Sequence, residues 1–134
     1  MNISTFDDLL CAARAQSEPQ RLLFVFANAE LPDDSTPEQR ARFARGQGGA
    51  LAPLMSVDKT PDELDSFAAL AAESRKFGAG WAVVFAASLA GRDGRAPTGK
   101  EVDTALQFMI ESIKTGAFGS YIPFDPQGQP MLFE

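Results

Sequence analysis

The 134-residue sequence contains no histidine. Imidazole is the usual proton carrier near neutral pH and the commonest metal ligand. Its absence removes Ser–His and Cys–His nucleophilic chemistry, histidine acid–base catalysis, and the usual zinc, copper and non-haem iron sites. Cysteine is nearly absent as well. Cys11 stands alone, so no internal disulfide can form, which fits a reducing compartment. Tyrosine and tryptophan occur once each against eleven phenylalanines, which points to a core of rings that carry no polar group to satisfy. Long hydrophobic runs are also missing. The longest, LLFVFA at 22–27 and WAVVFAA at 81–87, are strand-sized and far below the ~20 residues that span a bilayer. The opening MNISTFDDLL has neither the basic nor the apolar region of a signal peptide. A cytoplasmic protein with no membrane partner is the expectation.

Positive charge is in deficit. Twelve Lys and Arg face eighteen Asp and Glu, a net charge of −6, and the average field repels phosphate backbones. Nucleic acid is therefore not the partner expected. Any activity is left to carboxylates, Lys, Arg, Tyr121, Cys11 or the backbone.

What is present reads as one domain over 1–134, with hydrophobic residues at 45% supplying a single core. Ser4-Thr5 before Asp7-Asp8 caps a helix whose apolar stripe is Phe6, Leu9, Leu10 and Ala13. The run 22–27 follows as a strand covered on both faces. Thr36-Pro37-Glu38-Gln39 is a capping box that opens a short helix to about Arg45, and Gly46 to Gly49 break it. A second strand spans about Leu51 to Val57, where Pro53 favours an edge or a bulge. Thr60-Pro61-Asp62-Glu63 repeats the box and opens a helix with Leu64, Phe67, Leu70, Ala71 and Phe77 on one face, stopped by Gly78. Trp81 to Ala87 is the third strand. A glycine-rich loop, Gly91 to Gly99, leads into a helix from about Lys100 to Thr115 with Val102, Leu106, Met109, Ile110 and Ile113 as its stripe. The tail reads as a hairpin, Ser120 to Phe124 and Pro130 to Phe133, around the turn Asp125-Pro126-Gln127-Gly128. The order α-β-α-β-α-β-α-β-β predicts an α/β (or α+β) fold, a single mixed sheet of about four to five strands with about four helices packed on it.

Three strings, RLLFVFANAELPDD at 21–34, LDSFAALAAES at 64–74 and YIPFDPQGQP at 121–130, carry a likeness over nearly the whole chain. The chain resembles a family of small uncharacterised bacterial proteins, some of which are labelled ribonucleotide reductase alpha subunit. The resemblance implies no active residues. Nor does the label fit: a reductase alpha subunit needs a radical-bearing cysteine, a reducing pair and a large barrel, and Cys11 is the only thiol here.

Two constellations invite a chemical reading. Gly94 to Lys100 satisfies G-x-x-x-x-G-K between a strand and a helix, the spacing at which backbone N–H groups wrap a phosphate. Glu101 stands where a magnesium-binding hydroxyl belongs and repels phosphate, so Thr98 and Glu101 read better as the cap of the following helix. The second constellation assumes that the first three strands are parallel. Ligands then bind beyond the strands' carboxyl ends, where Asn28, Asp58, Lys59, Ser88, Arg92 and Arg95 would line a crevice able to grip a carboxylate or phosphate. Cys11, beside Asp7 and Asp8 as well as Arg14, reads as packing rather than as an activated thiol.

No residue is assigned a catalytic role, and no metal or cofactor is called for. The function expected is a non-catalytic regulatory or protein-interaction domain, with a homodimer among its possible forms because the apolar tail MLFE could pair at an edge. The alternative is an anionic-metabolite binder or weak enzyme working through the strand-end crevice.

Overall fold

A strand built from Leu22 to Ala27 has no polar face to offer solvent, so it is stable only in the middle of a sheet with layers on both sides. It takes that place. The computed structural model describes residues 5–30, 36–44, 50–64, 66–76 and 80–131. In it β1 (Gln20–Glu30) lies between β2 (Ala50–Lys59) and β3 (Val83–Ala90), and β4 (Ile122–Phe124) extends the sheet on the far side of β3, in the order β2-β1-β3-β4. The side chains of Leu22 to Ala27 are no more than 3% exposed.

Alternation along β1 divides the core in two. Leu22, Phe24 and Phe26 face α1 (Phe6–Arg14) and α3 (Phe67–Arg75), whereas Leu23, Val25 and Ala27 face Val102, Leu106, Met109 and Ile113 of α4 (Gly99–Lys114). The remaining helix, α2 (Pro37–Ala44), joins β1 to β2. The first layer is aromatic. Phe6 meets Phe67 and Phe124 edge-on at 5.1 and 5.6 Å, and Trp81 meets Phe26 at 5.0 Å, geometries in which ring edges meet ring faces. Its one polar handle is satisfied: the Trp81 indole N–H donates to Ser74 Oγ at 2.8 Å, and that hydroxyl donates to the Ala71 carbonyl at 2.6 Å.

The strands differ from expectation in direction. Every neighbouring pair is antiparallel, so the sheet is not mixed. β2 and β3 do run the same way, with α3 carrying the chain back between them, but β1 lies between and opposes both. The link from β1 to β2 explains the reversal. Its helix α2 has eight residues and covers about 12 Å, a third of the roughly 36 Å of β1, so the chain turns back at the same end. Pro53 falls where edge-strand reasoning puts it, beside the register shift at Phe26/Ala27.

Two local expectations also change. The box at Thr60 opens only a 3₁₀ turn, Pro61–Glu63; Leu64 is extended and 3% exposed, and α3 starts afresh with Ser66 Oγ accepting the Ala69 N–H at 3.1 Å. Burying Leu64 costs the helix its continuity. The C-terminal hairpin keeps its turn, with Gly128 at φ 83° and Asp125 Oδ1 accepting two backbone N–H groups, and among the described residues its second strand is represented by one bridge from Phe124 to Pro130. The expected roles of Ser4, Arg45, Gly46 to Gly49, Phe77, Gly78 and Leu132 to Glu134 lie outside the described residues. Among the described residues no helix is long and apolar enough to cross a membrane.

Gly91 is where the chain passes too close to itself for a side chain. A Cβ there would sit 1.8 Å from the Arg95 carbonyl oxygen, while the Gly91 N–H donates to the Pro19 carbonyl at 2.8 Å. Gly91→Ala is expected to lower unfolding free energy by about 2–3 kcal/mol in urea titration. Gly99→Ala, with no atom within 4 Å of the new Cβ at the first residue of α4, should be neutral or stabilising.

Candidate functional site

Because β1 opposes its neighbours, its first residues meet the last residues of β2 and β3. That end of the sheet gathers Gln20, Arg21, Asp58, Lys59, Ser88 and the turn at 92–95. Asn28 does not join them. It pairs with Ala52 near the other end of β1, about 26 Å from Gln20 at strand rise. The crevice expected from parallel strands therefore does not form with all six residues.

The groups that do assemble are bound to one another. Arg21 Nε donates to Asp58 Oδ2 at 2.6 Å in a partly buried pair, with Glu63 a further 3.9 Å contact of the same guanidinium. Asp58 and Lys59 are consecutive on a strand and so leave on opposite faces; Lys59 Nζ reaches Glu73 Oε1 of α3 at 2.9 Å. Ser88 Oγ donates to Gln20 Oε1 at 2.6 Å. Arg92 Nη2 is held by Glu101 Oε2 at 2.7 Å. The backbones of Arg92 and Arg95 pair reciprocally at 3.0 and 2.9 Å around Asp93-Gly94, whose φ values are 54° and 76°. This is the two-residue turn that Asp-Gly favours.

That turn also disposes of the phosphate-loop spacing. The Gly94 N–H, the first donor such a loop would aim at a phosphate, donates instead to Glu18 Oε2 at 2.8 Å. Thr98 and Glu101 cap α4 reciprocally, Glu101 N–H to Thr98 Oγ1 at 3.1 Å and Thr98 N–H to Glu101 Oε1 at 3.0 Å. Cys11 is exposed and free, and Arg14 is spent on the carbonyls of Pro61 and Leu64. Among the described residues no group of His, Cys, Asp or Glu is placed to hold a metal ion.

The surface that sequence reasoning missed lies between α4 and the end of β3. A groove of about 820 Å³ has Leu23, Ala87 and Leu89 as its floor, Thr104, Ala105, Phe108 and Met109 along the helix wall, and Tyr121 opposite. Phe108 is 70% exposed at its lip. The available signal was one large apolar residue standing off the stripe 102, 106, 109, 113.

Among the described residues, the groove contains an unpaired strand edge. β4 pairs with β3 only at Val84, Phe85 and Ala86. Pro123, opposite Phe85, has no N–H, so the exchanged bonds of this ladder belong to the flanking residues Val84 and Ala86. Two and four residues on, Ser88 and Ala90 turn their N–H and C=O groups the same way, past Ile122, the first residue of β4. Gly91, one residue out of phase, bonds to Pro19 beside β1, as this alternation requires.

The capping carboxylates titrate with folding. Glu101 is held below the ordinary 4.5 first by the backbone N–H of Thr98, then by the Thr98 hydroxyl and the Arg92 cation; Glu63 is lowered in the same way, first by the Thr60 N–H. A lowered folded value means that the unfolded chain binds the proton more readily. The stability these groups confer is complete above 4.5 and is lost as pH falls through the folded values. Urea midpoints should drop as pH is taken below that point, and Glu101→Gln, which keeps the cap but cannot ionise, should flatten the slope.

Scans against protein-family models, curated proteins and solved structures find no match to this chain.

Proposed function

We propose that this chain is a non-catalytic protein-interaction domain and that its working surface is the groove between α4 and β3. The observation that carries this reading is Phe108, a large apolar side chain left 70% exposed above an apolar groove. Burying such a ring is worth about 1.5–3 kcal/mol, and exposed apolar ground of this kind marks interaction surfaces. The charged end of the sheet supports the same view from the other side. Arg21, Lys59 and Arg92 are each paired with an internal carboxylate, so an anionic metabolite would have to displace Asp58, Glu73 or Glu101 to reach any of those three cations. With histidine absent, binding is the activity these residues support best. The net charge of −6 favours protein over nucleic acid as the partner.

A photo-crosslinking amino acid placed at position 108 or 104 and activated in growing cells tests this. Adducts of higher mass are expected from both positions and not from Gln127, which is exposed on the C-terminal turn. A pattern at 104 and 108 no different from that at 127 would overturn the reading.

A further inference from the structure

We infer that the groove takes an extended polypeptide segment of a partner protein, which adds as a strand to the free edge of β3, sets alternate apolar side chains against α4, and presents an acidic residue to Lys100. The inference rests on the interaction reading above and names the mode and chemistry of the partner.

Three features of the site converge on it. The backbone comes first. Ser88 and Ala90 point N–H and C=O groups out of the sheet where β4 no longer reaches, and a donor–acceptor row in that register is satisfied by another extended chain. From Ala87 to Ala90 the edge runs about 10 Å, room for a segment of about four residues. The second feature is the wall. A strand's side chains alternate between faces, so every second residue of the added segment would lie on the α4 side, against Leu89, Ala105 and Phe108. The intervening residues would lie on the side of Ser88 and Gln20, a hydroxyl and an amide already bonded to each other. Apolar residues at alternate positions with polar ones between are thus what the groove accommodates.

Charge supplies the third feature. Among the described residues, two ionic side chains line the groove, Lys100 and Glu101, both at the start of α4. Glu101 is taken by Arg92 and by the Thr98 N–H, whereas among the described residues Lys100 forms no ion pair. The unspent charge at this end is therefore positive, and its complement on the segment is a carboxylate. The other long edge of the sheet is a poorer host. β2 carries Pro53 beside a register shift, and both features blunt an edge.

Selection of a phage-displayed random heptapeptide library on the full chain tests the inference. The recovered peptides are expected to share apolar residues at alternate positions and Asp or Glu at one end. Synthetic copies should lose about tenfold in affinity, near 1.4 kcal/mol, when alternate amides in one register are N-methylated, and much less in the other register. Phe108→Asp should weaken binding by a similar factor, and selection on Lys100→Glu should return peptides ending in Lys or Arg. An empty selection, indifference to N-methylation in both registers, or unchanged charge preference on Lys100→Glu would each overturn strand addition. Crosslinks at positions 104 and 108 that persist beside such a failure leave the interaction reading standing, while their absence removes both. Self-association of the chain through α4 alone, insensitive to the β3 edge, would also overturn it.

Discussion

Six consecutive side chains of β1, Leu22 to Ala27, are shielded from water on both faces of the sheet, and the other elements are arranged by the need to cover them. A strand with two apolar faces gains from burial on each, at about 1.5–3 kcal/mol for each large side chain, and loses heavily if either cover is removed. Phe24 and Phe26 require the α1 and α3 layer; Leu23 and Val25 require α4. The helix boundaries follow from this. α3 gives up its first capping box so that Leu64 can enter the aromatic layer, and Ser66 begins the helix again two residues later.

What could be read from the sequence divides along the range of the interactions concerned. Capping boxes at Thr98 and Thr5 join residues three apart, and the stripe 102, 106, 109, 113 repeats within one helix, so both are visible in a short window. The buried character of β1 and β3 was visible for the same reason. Strand direction was not, because it is decided by how far each connection carries the chain, and an alternating order of helices and strands is compatible with either sense. That error moved Asn28 to the wrong end of the supposed crevice. The ion pairs were hidden by distance along the chain: Arg21 and Asp58 are 37 residues apart, and nothing local marks either as the other's partner. The free edge of β3 required knowing that β4 has only three residues.

The segment from Gly91 to Glu101 shows how a sequence can satisfy a ligand-binding pattern with its own atoms. Backbone N–H groups in left-handed turns attract anions, and here the anion is Glu18, delivered to Gly94 from the start of the strand layer. Gly91 permits the close approach that brings the turn against Pro19, and Glu101 then holds both the cap of α4 and the Arg92 guanidinium. Gly91, Gly94 and Arg92 are accounted for by folding before any ligand is introduced. A motif match of this kind carries information about function only when its donors are still available.

Availability is the distinction that separates the two edges of this sheet from its charged end. An open row of strand donors and acceptors invites pairing with other chains, and proteins ordinarily suppress it. β2 does so with Pro53 and a bulge in its pairing. On the opposite side, β4 protects Val84 to Ala86 and stops, because the chain leaves the sheet at Tyr121. Extending β4 backward by a few residues would have covered Ser88 and closed the groove. Instead the uncovered stretch lies against α4, whose Phe108 is exposed, and among the described residues the nearby Lys100 has no carboxylate partner. An edge kept open by chance would more often be found against a polar, charge-balanced surface. Here backbone, side chain and charge are left unsatisfied at the same place.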